Sequence, residues 1–144
     1  MSKLETPMTR WYWQQVGGTL IEEFPVVEKT ATCGRRLLDA VIILGEETRI
    51  AHWSEVTIEG KDVVVVQTKA SRLGMYLMGQ AIFSAKLIER FKPRSVLSIA
   101  LVKEDDSVLR QLLEEYPNVR VVVCSGLPTD VAVYNRKRVI NWPL

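Results

Sequence analysis

The chain has 144 residues, a net charge of +2, 47% hydrophobic and 25% charged side chains, the make-up of one globular domain spanning residues 1–144. It is too rich in aliphatic residues for a disordered segment, and too mildly charged to point to nucleic acid by charge alone. No signal core or membrane-spanning run is present, and Cys33 and Cys124 lack metal-ligand spacing, so a cytoplasmic protein with reduced thiols and no structural zinc is expected.

Thr6-Pro7 reads as a helix start, with Thr6 as cap and Pro7 at the first helical position. That helix carries Met8, Trp11, Tyr12 and Gln15 and stops at Gly17-Gly18. Residues Thr19 to Val27 are predicted as a first strand, Arg36 to Leu44 as a second, and Trp53 to Ile58 as a short extra strand. Asp62 to Lys69 is a third main strand with four consecutive valines. Leu73 to Phe91 shows helical spacing and ends at Pro93. Then come a strand over Ser95 to Val102, a helix opened by Asp105-Asp106-Ser107, and a strand over Asn118 to Cys124. The order is α-β-β-β-α-β-α-β, which predicts an α/β fold with a mixed central sheet flanked by helices. A meander of the first three strands is followed by crossovers that make the last two at least partly parallel.

Three positions break this apolar pattern. Asp39 interrupts a strand that is apolar on both faces, and a carboxylate in such a place needs compensation. Gln67 and Lys69 follow the four valines and, two apart on a strand, face the same side. Pairing of the second and third strands brings Asp39 beside them. A carboxylate and an amide oxygen are hard ligands suited to Mg²⁺, and an ammonium can orient a water or offset charge on a phosphate.

Asp39 followed by Gln67-Thr68-Lys69 on successive strands, within this element order, resembles the PD-(D/E)XK nuclease superfamily. The resemblance runs from the first helix to the strand ending near Cys124. It implies a restriction-endonuclease-like fold and Mg²⁺-dependent (or Mn²⁺-dependent) hydrolysis of DNA. Asp39 and Gln67 would bind the metal and Lys69 would assist attack. Leu38 stands where the family name has proline, and Gln67 where most members have Glu or Asp, which removes one negative charge. Many members add an acid near the first helix; Glu5, Glu22 and Glu23 are the candidates here, with Glu23 favoured. Gln80, inside the apolar stripe of the long helix, matches a glutamine found there in several related families and would support the metal or a phosphate. The alternative is a catalytically weak or inactive DNA-binding or assembly module on the same fold. A homodimer is expected, since many nucleases of this fold dimerise to cut both strands, and a larger protein partner is the other route to recognition.

Blander readings stand beside these. Taken alone, Asp39 and Lys69 would be a salt bridge between neighbouring strands; Gln67 and the element order favour a nuclease-type site. Arg35, Arg36 and Arg72 flank the site residues in sequence and are candidate phosphate contacts, against ordinary solvated charge. Arg136-Lys137-Arg138 is a basic cluster of the same ambiguity. Of Trp11, Tyr12 and Trp13, most should pack in the core, with one free to stack on a base or a partner. His52, the only histidine, suggests no triad, and Gly74 and Gly79 make no phosphate loop.

Overall fold

A computed structural model describes residues 1–124. The Val131-to-Tyr134 run and the basic cluster Arg136-Lys137-Arg138 lie outside the described residues. Helix α1 spans Glu5–Val16, and the strands β1 and β2 span Thr19–Val27 and Arg36–Ile43. Strand β3 is Arg49–Ala51, followed by a 3₁₀ turn at Trp53–Glu55 and by β4 at Asp62–Arg72. Helix α2 (Met75–Glu89), β5 (Ser95–Glu104), α3 (Ser107–Leu113) and β6 (Val119–Val123) complete the order. The six strands of the described residues form one mixed sheet in the order β3-β1-β2-β4-β5-β6. β1–β2 and β2–β4 are antiparallel; β4–β5, β5–β6 and β1–β3 are parallel.

The valine run shows why the sheet sits where it does. Val64 and Val66 pack on one face with Met8 and Tyr12 of α1, while Val63 and Val65 pack on the other with Ala85 and Ile88 of α2. A strand covered on both sides has no polar face to alternate with, so its sequence is continuously apolar. Each such fully buried aliphatic side chain contributes about 1.5–3 kcal/mol. Beyond it, Leu77 and Ala81 of α2 and Leu113 of α3 cover β5 and β6 on the α2 face. Gly18 links α1 to β1 at φ 83°, and any side chain there would collide with the Ile43 carbonyl. That close approach helps hold α1 against the sheet.

Several boundaries differ from expectation, each for a local reason. The first helix starts at Glu5, ahead of Thr6-Pro7, because Ser2 and Glu5 exchange reciprocal side-chain-to-backbone bonds at 3.1 and 3.2 Å. No strand forms over Trp53 to Ile58. His52 instead accepts the Ser54 N–H, and Glu55 accepts the His52 N–H at 2.8 Å, which closes a 3₁₀ turn. The additional strand lies earlier, at Arg49–Ala51, as an edge partner of β1. Asp106 caps α3 by accepting the Leu109 N–H at 2.9 Å, as its place before the helix suggests. Among the described residues, no helix is long and apolar enough to cross a membrane.

Candidate active site at a fork between two strands

The β2–β4 ladder runs from Ile43–Val63 to Ala40–Val66 and stops there. The next residues, Asp39 and Gln67, replace the lost ladder with side chains. The Asp39 N–H donates to Gln67 Oε1 at 3.0 Å, and the Thr68 N–H donates to Asp39 Oδ2 at 2.9 Å. Both strands' freed backbone donors are thus satisfied by the two polar side chains that interrupt the apolar runs.

The far end of Gln67 is also held. Its Nε2 donates to Ser84 Oγ of α2 at 2.8 Å, and that hydroxyl donates to the Gln80 carbonyl at 2.5 Å. Gln67 is only 6% exposed. On the opposite face the Thr68 and Thr9 hydroxyls share a hydrogen bond of 2.7 Å, tying β4 to α1. Ser84, Thr9 and Thr68 are buried supports of the fork. Small hydroxyl residues in helices and strands carry no distinctive pattern, so only their adjacency in the fold reveals them.

Asp39 faces groups from the α1 side. Burial pushes its carboxyl above the usual range, opposed by the Thr68 N–H and the Met1 ammonium and reinforced by Glu5 and Glu23. Glu23 is ion-paired with the Met1 ammonium. It sits between the Glu22–Ala40 and Phe24–Leu38 pairs, which puts it across from Asp39. Its φ of 55° is unusual for a residue with a side chain. Ile21 and Phe24 pack in one core cluster although strict alternation would separate them, and so do Leu38 and Val41. The alternation of both strands therefore slips at the level of Glu23 and Asp39.

The remaining candidates are distributed unevenly. Lys69 is exposed, shares the Gln67 face through an unbroken β4–β5 register, and forms no ion pair with Asp39. The salt-bridge reading of that pair therefore has no counterpart here. Gln80 is exposed, contrary to its place in the apolar stripe, and supports the fork only through its carbonyl oxygen. Helix α2 has apolar residues on its outer side as well, so the stripe did not mark the buried face. Glu22 is drawn to Arg10, with bonds of 2.8 and 3.2 Å, and Glu5 accepts the Ser2 N–H. Arg35 and Arg36 are exposed at the start of β2. Arg72 is committed to Glu104 at 2.9 Å and to the Asp105 carbonyl at 2.8 Å.

A divalent cation is compatible with the donor chemistry of the fork. Asp39 Oδ1 and the second lone pair of Gln67 Oε1 remain beyond the hydrogen bonds described above, and both are hard oxygens. Among the described residues no group of three His, Cys, Asp or Glu side chains is arranged to hold a metal. A cation would therefore take few ligands from the chain and keep several waters, as Mg²⁺ commonly does. No known protein family, curated protein or solved structure matches the chain.

Proposed function

We propose that the fork is the centre of a Mg²⁺- or Mn²⁺-dependent nuclease acting on DNA, on a restriction-endonuclease-like scaffold. The observation that carries this reading is the reciprocal bonding of Asp39 and Gln67 at the end of the β2–β4 ladder. It ties the Asp39 carboxylate, which faces the α1 side, through backbone donors to Gln67, whose side chain lies on the α2 side with the exposed Lys69 two residues further along β4. Asp39 and Gln67 would hold the cation. When bound, it supplies a Lewis acid for the phosphate and lowers the pKa of a coordinated water.

The chain's own residues have separate tasks. Asp39 presents a carboxylate whose position is set by the Thr68 N–H. Gln67 is oriented by Ser84, so its carbonyl oxygen cannot exchange places with its amide nitrogen without losing two hydrogen bonds. Lys69 offers an ammonium that orients a water or offsets charge on the scissile phosphate. Arg35 and Arg36 contact flanking phosphates without reading sequence. Cleavage of duplex and single-stranded DNA with Mg²⁺, with Mn²⁺ and with EDTA tests the proposal. Cleavage should need the metal and vanish in Asp39→Ala and Lys69→Ala while circular dichroism stays unchanged. Cleavage that survives both substitutions removes the mechanism.

A second reading is a DNA-binding or assembly module without hydrolysis. It is favoured by the internal engagement of both ends of Gln67. Metal-independent DNA binding, with no heat of Mg²⁺ or Mn²⁺ binding by calorimetry, would select it.

A further inference from the structure

Strand β1 pairs with β3 only from Thr19 to Ile21, and beyond that point the segment between β3 and β4 closes a cleft against it. Phe24, Val26 and Ile58 form the floor, with Phe91, just past α2, packed against the same core cluster. The Phe24 and Phe91 rings meet edge to face, their centroids 5.4 Å apart. One wall is the 3₁₀ turn, which places no residue in the core yet brings Trp53, 42% exposed, to the cleft. That wall is pinned at its far end. The Gly60 N–H donates to the Lys92 carbonyl at 2.9 Å, and the Lys61 N–H to the Ile58 carbonyl at 3.0 Å. The cleft encloses about 490 Å³, the size of a small-molecule site.

Charge separates this cleft from its neighbour. Glu28 and Glu59 line it, both exposed, and among the described residues no Lys, Arg or His lines it with them. Neither carboxylate has an ion pair or a hydrogen bond among the described residues. The adjoining cleft shares Val56 and Thr57 and is also rich in glutamate. There, however, Glu46 is paired with Lys61, and Glu47 and Glu55 with Arg49. Arg90 comes near the first cleft only to donate to the Val26 carbonyl at 3.4 Å. Lys29 and Lys92 adjoin it in sequence without lining it.

We propose that this cleft binds a small organic cation, an alkylated ammonium with an apolar body. Aromatic faces attract a cation through their negative quadrupole, tryptophan most strongly. The aliphatic floor takes the apolar body. Glu28 and Glu59 supply the countercharge from exposed positions, without the desolvation penalty of a buried carboxylate. An anion would be repelled, and a neutral ligand would leave both carboxylates unused. Asp39, Gln67 and Lys69 do not line the cleft, so binding here is independent of the nuclease reading.

Two-dimensional ¹H–¹⁵N NMR of the full chain, titrated with benzyltrimethylammonium chloride, is the test. The Trp53 indole N–H and the amides of Phe24, Ile58 and Phe91 should shift saturably, with a Kd on the order of 1 mM or below. Trp53→Leu keeps apolar bulk and removes the indole face, and should weaken binding about tenfold, read at the Phe91 amide. Glu28→Gln combined with Glu59→Gln keeps the shape and removes the countercharge, and should weaken binding about three- to tenfold. All three substitutions are at exposed positions, so the spectra away from the cleft should match the wild type and report an intact fold. An absence of saturable shifts up to about 10 mM probe would overturn the proposal. So would binding that either variant leaves unchanged, since the site would then be an apolar hollow or a diffuse charge effect.

Discussion

Asp39 and Gln67 are joined through a backbone donor: the Asp39 N–H bonds to Gln67 Oε1 at 3.0 Å, while Gln67 Nε2 bonds to Ser84 Oγ at 2.8 Å. Gln67→Glu keeps the first bond and breaks the second, since a carboxylate cannot donate. Ser84 must then turn from the Gln80 carbonyl to donate to the new oxygen. A further buried negative charge beside Asp39 should lower stability by about 1–3 kcal/mol in metal-free buffer. It should also tighten metal binding, because a neutral ligand becomes charged. The melting temperature of Gln67→Glu should therefore rise more steeply with Mg²⁺ than that of the wild type. Thermal denaturation across a Mg²⁺ titration reads this directly. A variant whose melting point ignores Mg²⁺ would take Gln67 out of the cation's ligand set.

Asp39 itself is expected to sacrifice stability for function. Its carboxylate is partly desolvated and near Glu5 and Glu23, which raises its pKa. Asp39→Asn removes the charge but keeps an acceptor for the Thr68 N–H. The variant should unfold at higher urea, by roughly 0.5–2 kcal/mol, and should have lost metal-dependent cleavage. Equilibrium urea unfolding with EDTA present isolates the first effect. A destabilised Asp39→Asn would mean that the charge is compensated in the folded chain, and that the site is a structural clasp.

Both fork residues were legible in the sequence because they are polar where everything around them is apolar. Asp39 sits among Leu37, Leu38, Ala40 and Val41, and Gln67 follows four valines. The mixed sheet was legible from the element order, because the last two strands follow helical crossovers, which make their pairing at least partly parallel. What stayed hidden depends on contacts between distant segments. Glu23 lies across from Asp39 because both strands slip their alternation at one level, which no single strand reveals. Ser84 gains its role from Gln67, seventeen residues earlier in the chain. Strand β3 is three residues long and exists by pairing with β1, too short for any period to show. Gln80 was misjudged because helical spacing marks a buried face only when the opposite face is polar, and the opposite face of α2 is not.

The buried Thr9–Thr68 pair, at 2.7 Å, holds α1 to the strand that carries Gln67 and Lys69. Thr68→Val removes one hydroxyl and leaves Thr9 with its bond to the Glu5 carbonyl at 3.0 Å. Thr9→Val removes the other and leaves the Thr68 hydroxyl with a buried unmet partner. Thr9→Val should therefore destabilise more, by about 1–3 kcal/mol. The double variant replaces both hydroxyls by methyls of the same shape, and should recover part of that loss. A double-mutant cycle by urea unfolding would give a coupling of order 1 kcal/mol. Strict additivity would mean that the two hydroxyls do not depend on one another.

Asp62 opens β4 opposite Ser95, the first residue of β5, and accepts hydrogen bonds from Arg94 Nε at 2.9 Å and Ser95 Oγ at 2.6 Å. The Arg94 guanidinium, more than Ser95, holds the Asp62 carboxyl below its ordinary 3.8. The sign follows from proton binding. The unfolded chain takes up the proton first as pH falls, so the stabilisation is whole above 3.8 and is lost through the depressed native value. Asp62→Asn should therefore melt below the wild type at neutral pH, by about 2 °C given the exposure of the arginine. Below pH 3.8 the two melting curves should converge. Added salt at neutral pH should narrow the gap in the same direction, because the pair is open to solvent on the arginine side. A gap that holds constant through the acid window would place the effect of the substitution in packing or in the Ser95 hydrogen bond, and not in the charge.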